Sequence, residues 1–156
     1  MKYLLLPLLF LTLASCLDDN SSNPAPEPID YRAQNEEDIK IYIEENELTA
    51  QRSETGLYYI IEEPGDGNQP TATSDVTVAY KGYFLNGSVF DESGEEGATF
   101  NLQQVIPGWT EGIAYFKEGG NGMLLVPSHL AYGSYDYLGI PGGSVLIFDV
   151  NLISTN

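Results

Sequence analysis

Val76-Thr77-Val78-Ala79-Tyr80-Lys81-Gly82-Tyr83-Phe84 is the run that decides the fold, and it ends at the pair Asn86-Gly87. Val76, Val78 and Tyr80 alternate with Thr77, Ala79 and Lys81, the two-residue period of a strand with one buried face. Asn-Gly supplies the positive-φ positions of a tight hairpin. Working outward, Leu57 to Ile61 reads as a strand stopped by Pro64-Gly65-Asp66-Gly67. A short strand around Thr99 to Leu102 follows an acidic loop, Asp91 to Glu96, and Gly122 to Val126 and Ser144 to Ile153 give the last two. A short helix starts at Pro107, tolerated in a first turn, and runs through Trp109, Ile113 and Phe116. Upstream, residues 35–47 are helical in pattern: Asn35 offers a cap, Glu36-Glu37-Asp38 suit a positive N-terminus, and Ile39, Tyr42 and Ile43 recur at helical spacing. No internal repeat is present. The fold class is therefore α+β with largely antiparallel pairing.

The 11 Tyr and 6 Phe among 156 residues suit one aromatic-rich domain of about 100 residues. With 23 acidic against 6 basic residues, the formal charge is −17. Such a surface repels phosphate backbones and anionic headgroups, so no nucleic-acid partner is expected. Beyond Arg52 the only cations are Lys81 and Lys117, too few for phosphate-clamp chemistry.

The single cysteine, Cys16, rules out an internal disulfide framework and a CxxC metal knuckle. Residues 1–15 read as a signal peptide: Lys2, the apolar run Leu4 to Leu13, then Ala14 and Ser15. That run is too short to span a bilayer, which takes about 20 residues. Leu13-Ala14-Ser15-Cys16 resembles a bacterial lipobox, in which the cysteine is lipidated, and Leu17-Asp18-Asp19 resembles an acidic sorting signal. An ordinary cleavage site that includes a cysteine is the alternative. Residues 16–30, with Pro24, Pro26 and Pro28 alternating, form an extended tether of up to roughly 40 Å at ~3.1 Å per residue. A proline-rich ligand segment is the other reading, and a tether suits a cell envelope better. Residues 31–55 make a helical extension and residues 56–156 the domain. The location expected is the cell envelope, with membrane attachment through Cys16 alone, at the outer membrane, facing periplasm or surface.

Most catalytic constellations are missing. One histidine, His129, in the turn Pro127-Ser128-His129-Leu130, gives neither a metal cluster nor a histidine triad and reads as exposed and without a role. Asp91, Glu92, Glu95 and Glu96 lack the ligand spacing of a calcium loop. Gly119-Gly120-Asn121-Gly122 is not followed by Lys-Ser/Thr and reads as a turn. No metal and no cofactor are expected. What is left is aromatic: Tyr80, Phe90, Phe100, Trp109, Tyr132 and Phe148, each singly more like core than site.

The strings around those aromatics carry a resemblance. Val78-Ala79-Tyr80-Lys81-Gly82, Val89-Phe90-Asp91-Glu92-Ser93, Gln104-Val105-Ile106-Pro107-Gly108-Trp109, Leu130-Ala131-Tyr132-Gly133 and Ile140-Pro141 with Leu146-Ile147-Phe148-Asp149-Val150 occur in the order and near the spacing of the FKBP family, macrolide-binding prolyl isomerases. The resemblance covers Gly56 to Ile153, and the leading helix with Leu48-Thr49-Ala50 is similar to an extension of bacterial lipoprotein members. It implies a curved antiparallel sheet wrapped around the helix at Pro107. It also implies an apolar pocket with Trp109 as floor, and with Tyr80, Phe90, Val105, Ile106 and Phe148 as walls. Phe100, Tyr137 and Ile140 fall at further substrate-binding positions. By the same resemblance the N–H of Ile106 and the hydroxyl of Tyr132 donate to substrate carbonyls, and Asp91 lies at the pocket edge.

The chain departs from the family pattern in three places. No arginine follows Asp91, which leaves hydroxyl partners such as Tyr80. The loop Ser134 to Gly139 is one residue short, with Tyr137 near a rim position. Gly142-Gly143 stands where a stiffer, proline-containing segment is common. The function implied is cis/trans isomerisation of X-Pro bonds in envelope polypeptides, with macrolides as inhibitors. The alternative is a binding or chaperone module with weak turnover; a surface adhesin on the same fold has no feature in its favour. Strand alternation turns Leu146, Phe148, Val150 and Leu152 inward and Val145 and Ile147 outward. The family alignment adds Leu124 and Val126 to the inner set, and Met123, Leu125 and Ala79 to the outer. An apolar outer patch of that kind needs a cover, and the Ile39, Tyr42, Ile43 stripe is the expected one, pairing of two domains being the rival.

Overall fold

The computed structural model describes residues 27–156; the signal-peptide, lipobox and Cys16 readings, and most of the tether, lie outside the described residues. Seven strands make one sheet: β1 (Gln51–Arg52), β2 (Tyr58–Glu63), β3 (Asp75–Phe84), β4 (Val89–Glu92), β5 (Ala98–Asn101), β6 (Asn121–Val126) and β7 (Leu146–Thr155). Every pairing is antiparallel, in the order β1-β2-β6-β7-β3-β4, with β5 also paired to β3. The α+β expectation holds. The short pieces β1 and β4 were not expected as strands; two and four residues carry too little periodicity to be read.

The inner face of the sheet packs on α2 (Pro107–Gly112), which tightens into a single 3-10 turn over Ile113–Tyr115. Leu57, Val76, Val78, Leu102, Trp109, Ile113, Phe116, Leu124, Val126, Leu146, Phe148, Val150 and Leu152 form the main core. The inward set of β7 is therefore as the alternation requires.

The outer face is covered by α1 (Arg32–Glu45). Ile39 is wholly buried and packs with Tyr58, Leu125, Val145 and Ile147, while Tyr42, Ile43, Tyr83 and Met123 close the sides of this second core. Ala79 is an exception to the expected patch. It lies beside a hollow lined by Glu62, Lys81, Asn121, Asp149 and Asn151, so that part of the outer face is polar enough to stand in water uncovered.

The start of α1 also differs from expectation. The helix begins three residues early, with Asp30 Oδ1 accepting the Arg32 N–H at 3.0 Å, and Asn35 is not its cap. Asn35 is almost wholly buried, its amide engaged by long-range partners that outrank a local capping bond. Glu36, Glu37 and Asp38 consequently fall beyond the first turn. Glu36 instead gathers Lys40 Nζ (3.0 Å), Arg52 Nε (3.1 Å) and the Tyr58 hydroxyl (2.8 Å). Burial works against its charge, but the hydrogen bonds from Tyr58, Lys40 and Arg52 outweigh that and hold the carboxyl below its usual value.

Two outcomes follow for α1. Ile39→Ala should cost about 2–5 kcal/mol, the range for emptying a packed aliphatic site, read as a lowered urea midpoint. Glu36→Gln should be less stable than the wild type at neutral pH. Because the folded-state carboxyl titrates below its unfolded value, that advantage exists above the unfolded pKa and is lost as pH falls through the folded one. The two urea midpoints should therefore draw together as the pH is lowered through and below the ordinary carboxylate range.

Candidate active site

The turn into α2 sets the floor of a cavity. Ile106 has extended backbone (φ −60°, ψ 146°) and Pro107 opens the helix, where its missing N–H costs nothing. The Ile106 carbonyl accepts the N–H groups of Trp109 (2.9 Å) and Thr110 (3.2 Å), and Thr110 Oγ1 ties the turn to the Leu102 carbonyl at 2.6 Å. The Ile106 N–H makes no hydrogen bond among the described residues. Trp109, one helical step on, is 4% exposed.

Around the indole the aromatic rings meet edge to face. Tyr80 stands 5.1 Å from Trp109 at 90°, Phe100 5.3 Å at 80° and Phe148 5.4 Å at 79°. Phe90 continues the wall, 5.6 Å from Phe148 at 89°. Perpendicular contacts put the positive edge of one ring on the negative face of the next, so the rings hold each other without filling the space between them. That space is a cavity of about 520 Å³, lined by Tyr80, Phe90, Asp91, Phe100, Val105, Ile106, Trp109, Tyr132, Tyr137 and Phe148, with Gln104, Pro107 and Ala131.

Tyr80 is fixed at both ends. Where β4 leaves β3 and β5 begins, Ser93 fills the gap: its Oγ accepts the Tyr80 N–H at 2.9 Å, and its N–H reaches the Tyr80 carbonyl at 3.0 Å. The Tyr80 hydroxyl donates to Asp91 Oδ2 at 2.7 Å, the hydroxyl partner that the missing arginine left open. Burial, then Asp91, pushes the Tyr80 hydroxyl well above its ordinary value, so it stays protonated and donating. Across the cavity Tyr132 stacks on Tyr137 (4.8 Å, 12°). Burial first, then Tyr137 and Asp91, raises the Tyr132 hydroxyl. That hydroxyl also makes no hydrogen bond among the described residues.

The fold thus brings ten of the eleven expected site residues of the domain to one cavity. Ile140 does not line it: it is buried in the same core as Trp109 and Phe148 and exchanges backbone bonds with Tyr137 (2.9 and 2.8 Å). Gln104, Pro107 and Ala131 were not singled out from sequence; their signal was adjacency to Val105, Ile106 and Tyr132 within the quoted strings. His129 is half-buried, not exposed as expected, and its Nε2 bonds the Thr55 carbonyl at 2.9 Å. No group of three or more His, Cys, Asp or Glu that could hold a metal ion occurs among the described residues.

A strand-wrapped helix with an aromatic cavity at its N-terminus defines the class, and the comparisons agree. The family model for FKBP-type peptidyl-prolyl cis-trans isomerases matches residues 67–153, and the chain belongs to that family. It is similar to FkpA, named an FKBP-type peptidyl-prolyl cis-trans isomerase, of Escherichia coli strain K12: 43% identical over 125 residues, 78% of this chain and 46% of that protein. The chain thus spans about half the length of the relatives it matches. The crystal structure of FkpA from Escherichia coli superposes with a TM-score of 0.72 at 41% identity, over 80% of this chain and 61% of that one. A peptidyl-prolyl cis-trans isomerase from Pseudomonas syringae gives 0.69 at 26% identity, over 85% and 98%.

Gly82 offers a test of the wall. A Cβ built there would lie 2.7 Å from Phe90 Cζ and 3.0 Å from Phe148 Cε1, so Gly82→Ala must displace a ring. Trp109 is the only tryptophan, and its emission reports the cavity directly. The variant should fold, shift that emission relative to wild type, and show an altered response to an apolar cavity ligand; identical spectra and titrations would contradict the packing described.

Proposed function

We propose that the domain is an active prolyl isomerase, which rotates X-Pro bonds of polypeptide substrates inside the aromatic cavity without covalent catalysis. The observation that carries this reading is the pairing of a ring-walled cavity with two hydrogen-bond donors at its border, the Ile106 N–H and the Tyr132 hydroxyl, neither used within the described residues. An X-Pro segment offers the complement: an apolar pyrrolidine ring flanked by carbonyl groups.

The physics asks little of the protein. Rotation about an amide costs about 18–20 kcal/mol because resonance is lost at the twisted geometry. The planar amide is the more charge-separated form, so an apolar enclosure disfavours it relative to the twisted one. A ten-thousand-fold acceleration needs only about 5.4 kcal/mol of such differential stabilisation. Ring edges, two donors and the Tyr80–Asp91 pair at the border suffice for that, and no nucleophile, metal or cofactor enters. Macrolides that present an apolar ring between carbonyls fit the same description and would compete with substrate.

The substrates we infer are proteins of the cell envelope, reached from a lipid anchor. The lipobox-like Leu13 to Cys16 and the proline-alternating tether support this. Mass spectrometry of the mature N-terminus tests it, and an unmodified Cys16 would overturn the anchor.

For the reaction itself, the expected result is catalysed isomerisation of a prolyl peptide, inhibited by a macrolide. Phe90→Ala and Trp109→Ala should each lower kcat/KM by about tenfold or more, equivalent to ~1.4 kcal/mol of lost transition-state binding. A folded wild type that binds prolyl peptide without accelerating it would leave the binding-module reading in its place.

A further inference from the structure

Asn35 lies on α1, upstream of the family match at residues 67–153, and takes no part in the cavity. Yet it is 1% exposed, and its amide spans the two ends of the loop that carries the cavity rim. Oδ1 accepts the Ser128 N–H at 2.8 Å, and Nδ2 donates to the Gly143 carbonyl at 2.8 Å. Ser128 and Gly143 are joined in turn through Gly133. The Gly133 N–H donates to the Ser128 carbonyl at 2.8 Å, and the Gly143 N–H donates to the Gly133 carbonyl at 2.8 Å. The four residues therefore close a ring of hydrogen bonds in which each of the three backbone members uses both its N–H and its carbonyl.

Gly133 directly follows Tyr132, and the stacked Tyr132–Tyr137 pair sits on the loop this ring closes. The same loop is held from the N-terminal side twice more. Ser134 Oγ donates to the Ile29 carbonyl at 2.5 Å. Gly143 has φ +79°, and a Cβ there would lie 2.6 Å from the Tyr31 ring, so Tyr31 packs where only glycine fits. Within the loop the Gly142 N–H is held by Asp136 Oδ1 at 2.8 Å, and the amide of Asn35 adds a tie to Gly143 from outside it.

We propose that Asn35 is a positioning residue for the site: it sets the placement of the Tyr132–Tyr137 rim, and thereby peptide affinity, from a helix outside the cavity. This rests on the isomerase reading for its consequence, but the clamp has a readout of its own. Asn35→Leu keeps the side-chain volume and removes both bonds; Asn35→Ser keeps at most one. In the full chain, hydrogen exchange of residues 128–143 should quicken in the order wild type, Asn35→Ser, Asn35→Leu.

KM for a prolyl peptide should rise at least ~5-fold in Asn35→Leu, the lower end of ordinary site-to-site coupling, with kcat largely kept. Ile39→Ala is the control, since it destabilises the same helix without touching the ring, and its KM should stay at the wild-type value. Unchanged exchange in Asn35→Leu overturns the clamp whether or not the wild type turns over. Quickened exchange with an unchanged KM in an active enzyme, or an equal KM rise in Ile39→Ala, overturns the positioning role. A wild type that lacks turnover sinks the isomerase reading, and the exchange series then decides the clamp alone.

Discussion

The N-terminal half of β7 is buried on both faces, and the rest of the molecule is arranged around that constraint. Every residue from Val145 to Leu152 is buried except Asp149 and Asn151. A strand alternates its side chains across the sheet, so Leu146 and Phe148 must find one core while Val145 and Ile147 find another. The inner demand is met by α2 and the aromatic rings. The outer demand cannot be met by the sheet, and α1 answers it with Ile39. The next two outer positions, Asp149 and Asn151, are polar and exposed, and there the cover stops. The length of sheet that α1 covers thus follows the point at which apolar residues give way on the outside of β7.

The same strand links cover and cavity. Phe148 meets Trp109 and Phe90 on the inside, while its neighbour Ile147 lies against the second core. Bulges in the partners of β3, at Ile153 of β7 and Phe90 of β4, add local twist on either side of Tyr80, and Ser93 repairs the ladder between the two short partners of β3. The cavity wall is therefore an outcome of how a ten-residue strand shares its edge between β4 and β5, and not of any one side chain.

What was legible in the sequence followed from period and grouping. Val76 to Phe84 and Ser144 to Ile153 are long enough for alternation to show, and the outer set Val145, Ile147, Met123 and Leu125 led directly to a cover by α1. The aromatic site was legible only because short strings stood in a recognisable order; singly, Phe100 or Phe148 is indistinguishable from core. Ile140 illustrates the limit: it shares a string with site residues and a core with Trp109 and Phe148, yet does not line the cavity, since a loop has no period to reveal which way a side chain goes. Asn35 illustrates a second limit. Asparagine before an acidic run has the local signature of a cap, and only the approach of Ser128 and Gly143, some hundred residues away, makes the buried bridge the better use of its amide.

Three donors at the cavity have no partner among the described residues. The Ile106 N–H and the Tyr132 hydroxyl are unused among the described residues, and the Trp109 indole Nε1 is buried without a partner. A buried donor left unpaired costs about 1–3 kcal/mol, a cost that falls on the indole. Away from the cavity His129 Nδ1 and Thr155 Oγ1 are also buried without a partner, while Asn35, the most buried polar side chain among the described residues, is paired at both ends. The Ile106 N–H and the Tyr132 hydroxyl are set apart by their place at the cavity border, where neither residue is fully buried. They sit on the start of α2 and on a loop closed by hydrogen bonds, which fix where they point. In the proposed reaction a substrate carbonyl would meet donors already held in place, on a domain whose stability comes from the two cores on either side of β7.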